Sequence, residues 1–413
     1  MSGRTGRPAA VGIVGASGMV GLAAVEQLRR LGVDDLRLGA RRADLVRRAV
    51  DEVLGGRGEA HTVDATDPAA LARFCSGCQV VLNCAGPTYL LGDTVGVAAL
   101  AAGAHYVDVA GDDPVLESMT GRGLAGTDRA VVVSAGTLPG LSSLLPRWLA
   151  ASGFTRPVGL TAHVGGIEPC SPVVATDMLL SMRTGGVAGA AFGEPLAAWR
   201  DGARRPRALR AAQNTVAPHF PGPVAITPFL SAETERLAWA LGLRSVDWYN
   251  VHPGPAVRTE LARMPGYAAD PATDPAQVGV RLRRAADLDL HGRTPYYLMV
   301  FGLHGQSTGG HRTATLVLRA PSSYRLTGLV GALAARAVLA ANVPPGLRAA
   351  CDVLDPGEVV DEIRAAGPDL GVLHIDHTDH ADHVEAGAPA RTAAASQWPA
   401  APALSDDAEE GVL

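Results

Sequence analysis

Near its start the chain reads Val11-Gly12-Ile13-Val14-Gly15-Ala16-Ser17-Gly18-Met19-Val20-Gly21, an apolar run closing on three glycines spaced by three. This feature constrains the fold more than any other. Gly15 permits a tight strand-to-helix turn, Gly18 lets a phosphate approach bare backbone, and Gly21 lets the new helix pack close. The helix that follows, from about Met19 to Leu31, offers free N–H groups and the positive end of its dipole to an anion. The expected dinucleotide contacts are therefore Gly15, Ala16, Ser17, Gly18, Met19, Val20 and Gly21. In a chain with 49 glycines such a triplet carries weight only through its context.

That context is alternation. Apolar strands are expected at Val11–Gly15, Leu36–Ala40, His61–Asp64, Val80–Ala85, His105–Ala110 and Ala130–Ala135, with helical patterns between them. Strand and helix alternating at this interval imply parallel pairing through crossover helices. The fold class is α/β: a Rossmann-type doubly wound parallel sheet over residues 1–150, then a second, α+β domain over 151–320 with a mixed or antiparallel sheet. Gly165-Gly166 and Pro169 read as loop punctuation. Helices are expected at Thr176–Met182, Tyr324–Ala341 and Gly357–Ala366, the last two (within 321–370) returning to the first domain. Residues 374–413, rich in Ala, Pro, Asp and His, read as a disordered tail.

The second strand identifies the dinucleotide. Leu36-Arg37-Leu38-Gly39-Ala40 is followed by Arg41 and Arg42, with no acid where an NAD site would hold the ribose 2′-hydroxyl. Guanidinium groups suit a 2′-phosphate, so NADP(H) is the expected cofactor. Asp64, at the end of the third strand, and Ala65 are expected beside the adenine. Cys84-Ala85-Gly86-Pro87, after Asn83 on the fourth strand, should lie under the nicotinamide ribose, because ligands sit outside the carboxyl ends of parallel strands.

Composition removes other possibilities. All 36 basic residues are arginine, so a Schiff-base lysine, a P-loop lysine and a Tyr-x-x-x-Lys pair are excluded. A net charge of -5 gives no basic face for nucleic acid. The polar start, Met1 to Ala10, does not read as a signal peptide, and Leu326–Val343, interrupted by Arg336, reads as too short to span a bilayer. Five cysteines without regular spacing suit a reducing cytoplasm. Cys75-Ser76-Gly77-Cys78 has no second pair at zinc-ribbon spacing and reads as a surface turn. The His/Asp alternation from His374 to His383 is assigned no metal.

Taken together, the Gly15–Gly21 fingerprint, Asn83–Pro87, His105-Tyr106-Val107-Asp108-Val109-Ala110-Gly111-Asp112 and Ala135–Gly140 resemble the saccharopine dehydrogenase-like family. The resemblance continues in Gly165-Gly166 with Pro169 and Ser171, and in Tyr324-Arg325-Leu326-Thr327, covering most of residues 10–370. It implies a Rossmann domain, a mixed α/β domain for substrate and homodimer contacts, and C-terminal helices returning to the first domain. Several members reduce or form carbon–nitrogen bonds of amino-acid-derived imines with NAD(P)H; others are trans-acting enoyl reductases. The missing lysines argue against saccharopine itself as substrate.

Hydride chemistry needs a positioned proton source beside the nicotinamide. Asp108 is the first candidate, Tyr106 and Tyr89 the next, with His105 and Asp112 nearby in sequence. Alternation puts Tyr106 and Asp108 on one face of their strand. The alternatives are a turn cap for Asp108 and core packing for Tyr106. The expected activity is NADP(H)-dependent C=N reduction, or its reverse, on a small amino-acid-derived metabolite. A C=C reductase of a polyketide or lipid pathway and a non-catalytic NADP(H)-binding regulator remain the alternatives.

Overall fold

A computed structural model describes residues 9–111, 113–184 and 193–377. Seven parallel strands make the first sheet: β1 (Ala9–Val14), β2 (Leu36–Ala40), β3 (Glu59–Thr62), β4 (Cys78–Asn83), β5 (His105–Asp108), β6 (Ala130–Val133) and β16 (Gly346–Ala349). Their spatial order is β16-β6-β5-β4-β1-β2-β3, reversing direction of travel at β1, so a crevice opens between β1 and β4 at their carboxyl ends. The expected six strands thus gain a seventh. Gly346-Leu347-Arg348-Ala349 is too short and too poor in β-branched residues to signal a strand, and pairs with β6 only through the long return of the chain.

Helices cover both faces, so the central strands are apolar on both sides. Val11, Ile13, Val80, Leu82 and Val107 face one core with Ala24, Leu28, Leu329 and Leu333. Val14, Val81, Tyr106 and Val133 face the other with Leu71, Phe74, Val95 and Met119. The helix Ser323–Leu339 packs along the first helix, Met19–Arg30, which brings the late chain back to the first domain.

The second sheet is mixed. It contains β7 (Arg156–Ile167), β8 (Gly193–Pro195), β9 (Ala198–Arg200), β10 (Ala203–Arg205), β11 (Ala212–Val216), β12 (Pro223–Ser231), β13 (Ser245–His252), β14 (Tyr296–Ser307), β15 (Gly310–Ala320) and β17 (Gly371–His377). β7 and β13 pair in parallel; the other ladders are antiparallel. Gly165 and Gly166 lie inside β7, not in a loop. A Cβ on Gly165 would come 2.1 Å from the Val251 oxygen, and one on Gly166 1.9 Å from the Tyr296 oxygen. Those glycines serve close strand packing.

β17 also corrects the tail boundary. His374–His377 pair with β15, where Val317 faces Leu373 and Thr315 faces Ile375. The rest of the expected tail, and Asp112, lie outside the described residues. Among the described residues no helix is long and apolar enough to cross a membrane.

Several helix N-termini are bound by a carboxylate far away in sequence. Glu168 accepts from the Ser323 N–H at 2.6 Å, Glu233 from the Gly140 N–H at 2.9 Å, and Asp289 from the Ala256 and Val257 N–H groups at 3.0 and 2.8 Å. Each satisfies donors that the first turn cannot satisfy internally, and each staples distant segments together.

Candidate active site

The glycine fingerprint folds as its residues require. The Gly15 and Ala16 N–H groups donate to the Gly39 oxygen at 2.8 and 3.1 Å, tying the turn to β2, and Gly15 sits at φ +81. A Cβ on Gly15 would be 2.7 Å from the Ala85 nitrogen, and one on Gly21 2.2 Å from the Gly15 oxygen. Protein packing alone explains both. Gly18 is different: its φ and ψ of -80 and 166 suit any residue, and a Cβ there would meet only the Gly15 oxygen at 3.4 Å. Nothing in the protein demands a glycine at 18; an approaching pyrophosphate does.

The helix that starts at Met19 has no side-chain cap and no acid in its first turn. Its positive end is left to an external anion. With Ser17 and Gly18 leading into that uncapped helix start, the residues present fit a dinucleotide.

Arg41 is exposed and Arg42 half-buried at the start of the helix Ala43–Leu54, just beyond β2. Asp64 lies two residues past the end of β3 rather than within it, and Ala65 beside it is buried. The Thr66 N–H and hydroxyl bind the Asp64 carboxylate at 2.9 and 2.7 Å. Those bonds, with Arg41 adding a smaller attraction, hold its pKa below the usual range. The structure therefore brings Arg41 and Asp64 to one rim of the crevice.

The turn Cys84–Pro87 stands against Gly15, and the Cys84 N–H donates to the Val14 oxygen at 2.8 Å. Burial and the Asp108 charge push the Cys84 thiol far above its ordinary pKa, so it is no nucleophile. Cys75 and Cys78 are both buried, not at a surface turn, and burial pushes their thiols up to about 11 and about 12.

Asp108 is the node of a buried network. One oxygen accepts from the Tyr106 hydroxyl at 2.5 Å and the Asn83 side-chain amide at 3.1 Å; the other accepts from the Ala110 N–H at 2.9 Å. The Asn83 oxygen in turn accepts from the Ala85 N–H at 3.1 Å. This network fixes the turns after β4 and β5 together. Burial raises the Asp108 pKa, against three donors that favour the carboxylate.

The geometry places the first candidate in the interior. Asp108 is 2% exposed with both oxygens engaged, and Tyr106 is 0% exposed. Of the two roles open to Asp108, cap and proton donor, the hydrogen bonds match the cap, and Tyr106 supports it from the core. Tyr89 is half-buried on the short helix Thr88–Leu91, two residues beyond Pro87.

Two buried acids escaped the sequence reading. Asp177, on the helix Pro172–Thr184, binds the Thr88 and Tyr89 N–H groups; burial raises its pKa to about 6, with the Asp108 charge adding. Glu168 has its pKa raised to about 7 by burial. A lone acid in an apolar helix and a lone acid in a Gly-Pro loop were the available signals. His163 stacks on Tyr249 at 5.0 Å between ring centroids, and burial lowers its pKa to about 4.

Comparison with known proteins bears on the first domain and on the overall fold. Residues 11–123 match the family model described as saccharopine dehydrogenase NADP binding domain. That stretch is similar to the NADP-binding domain of saccharopine dehydrogenases. Its cofactor is NADP(H). A probable mitochondrial saccharopine dehydrogenase-like oxidoreductase from Arabidopsis thaliana is 38% identical over 58 residues, 14% of this chain and 13% of that protein. The alignment thus spans a small part of the curated relative. The fold likeness is wider. Apo saccharopine dehydrogenase (L-Glu forming) from Saccharomyces cerevisiae superposes with a TM-score of 0.64 at 15% identity, over 90% of this chain and 100% of the yeast chain. The two share an architecture beyond the NADP-binding domain.

Proposed function

We propose that the chain is an NADP(H)-dependent oxidoreductase that reduces the C=N bond of a small amino-acid-derived metabolite, or runs the reverse reaction. The observation that carries the oxidoreductase reading is the phosphate cradle open at Gly18, beside a turn that its own network holds rigid. When bound, NADPH supplies a hydride. Gly15–Gly21 hold the pyrophosphate and Arg41 and Arg42 the 2′-phosphate. Asn83 and Asp108 orient Cys84–Pro87 beneath the reacting ring. Tyr89, next along the chain, is the proposed proton donor.

The preference for C=N rests on charge. Asp177, held against the turn by the Thr88 and Tyr89 N–H groups, brings a carboxylate beside Cys84–Pro87, and negative charge there favours an iminium over a neutral alkene. A second reading has its own support. Leu90, Leu138 and Val174, exposed by 62%, 46% and 40%, stand after β4, after β6 and on the helix Pro172–Thr184, and would suit an apolar enoyl substrate.

NADPH oxidation followed against cyclic imines, amino acid plus keto acid pairs and enoyl thioesters separates the two. Turnover of the nitrogen substrates supports the proposal and turnover of the thioesters alone replaces it. Tight NADPH binding with no turnover of either class would point to a regulator.

A further inference from the structure

The turn Cys84–Pro87 is held from a second side. Asp177 Oδ2 accepts from the Thr88 N–H at 2.8 Å and Oδ1 from the Tyr89 N–H at 2.9 Å, across 89 and 88 residues of sequence. The short helix Thr88–Leu91 begins at Pro87, which supplies no cap of its own. An independent contact lies one residue earlier. A Cβ on Gly86 would stand 2.7 Å from Val173 Cγ1 and 3.6 Å from Asp177 Oδ2. The turn is therefore pressed against the helix Pro172–Thr184 and bonded to it.

That helix belongs to a separate three-helix unit with Pro255–Ala269 and Pro275–Leu290. Leu179 packs with Met264 and Val278, and Arg183 donates to the Tyr267, Asp270 and Thr273 oxygens. The Thr176 hydroxyl adds a bond to the Pro275 oxygen at 3.4 Å.

Of the other helices, some are capped locally, by Asp67, Asp274 and Asp355 at their own N-termini, and some, as at Ser323, Gly140 and Ala256, are bound by a distant carboxylate. A local cap satisfies the same donors without withdrawing a carboxylate from water. A cap reaching in from another unit does what a local one cannot: it makes the order of the turn depend on that unit.

We propose that Asp177 is a positioning residue that couples the three-helix unit to the Cys84–Pro87 turn, and so governs the grip on the nicotinamide half of NADP(H) but not on the adenosine half. The inference rests on the cofactor reading above. The adenosine half is held by Gly15–Gly21 and Arg41, which Asp177 does not contact. Loss of the Asp177 carboxylate would free the Thr88 and Tyr89 N–H groups and loosen the turn, leaving the cradle in place.

The test uses the full chain, with Asp177→Ala and the near-isosteric Asp177→Asn. Affinities are measured for NADPH and for 2′,5′-ADP, which carries the adenosine 2′-phosphate but no nicotinamide. Asp177→Ala should weaken NADPH about tenfold, a usual size for coupling between sites, and leave 2′,5′-ADP within about twofold. Asp177→Asn keeps one carbonyl acceptor and should fall between Asp177→Ala and wild type for NADPH alone. Equal weakening of both ligands in the Asn variant would reduce Asp177 to a general structural role, and no change in either would remove its role altogether. Wild-type protein that bound neither ligand would sink the cofactor reading and this coupling with it.

Discussion

Replacing Asp108 by Asn tests the buried network. Three donors converge on this side chain: the Tyr106 hydroxyl, the Asn83 amide and the Ala110 N–H. An amide offers one oxygen and one NH2 in place of two acceptors. If its oxygen keeps Tyr106 and Asn83, the NH2 faces the Ala110 N–H. If its oxygen keeps Ala110, the NH2 faces Asn83, which cannot flip without losing the Ala85 N–H. The first arrangement is the less costly, leaving donor against donor at one point. Each buried group left unmatched costs about 1–3 kcal/mol. Removing a carboxylate that burial disfavours offsets part of this. The net loss should be about 1–3 kcal/mol, read as a melting temperature a few degrees lower. NADPH affinity should fall less than about tenfold, since Asn83 still holds Ala85. Thermal melts and calorimetric titration of the same variant measure both. Single-turnover hydride transfer, on whichever imine is accepted, should also fall less than about tenfold. An unchanged melting temperature with transfer lost by about 10²–10⁴-fold would refute the reasoning and return Asp108 to general acid catalysis.

Further outcomes follow from the same geometry. Gly18→Val should fold with a melting temperature within a few degrees of wild type yet lose NADPH binding, whereas Gly21→Val, driven into the Gly15 oxygen, should fold poorly; circular dichroism and titration distinguish them. The Glu168 pKa is raised from 4.5 to about 7, so the native state binds the extra proton between those values. Its contribution to stability is present at low pH and lost as pH rises through that window, by up to about 3 kcal/mol. Glu168→Gln, whose amide can still serve Ser323, should gain on wild type as melts move from about pH 5 to about pH 8. His163 and His252, both lowered to about 4, lose stability in the opposite direction, as pH falls from 6.5, so the difference between variant and wild type is the quantity to follow.

What was legible in the sequence was local. Gly15, Gly18 and Gly21 could be read because backbone geometry over seven residues demands them, and Val80–Leu82 because a doubly covered strand is a continuous apolar run. The role of Asp108 was not legible. It depends on Asn83, one strand away and 25 residues earlier, and on how both side chains lean. Asp177 stayed hidden for the same reason at greater range. Gly165 and Gly166 misled because glycine marks turns and close strand contacts alike, and only the neighbouring Val251 and Tyr296 backbones decide between them. β17 was missed because Val372, Leu373 and Ile375 run straight into the His/Asp alternation, whose polarity masked the last residues pairing with β15.

The central claim is that the cradle and the arginine pair hold NADP(H), and titration of the wild-type protein with NADPH and NADH in parallel tests it most directly. A charge-assisted phosphate contact is worth about 1.5–3 kcal/mol, so NADPH should bind at least about tenfold more tightly. Arg41→Ala combined with Arg42→Ala should bring the two affinities together while leaving NADH binding unchanged. Equal affinities in the wild-type protein, or no binding of either dinucleotide, would contradict the account.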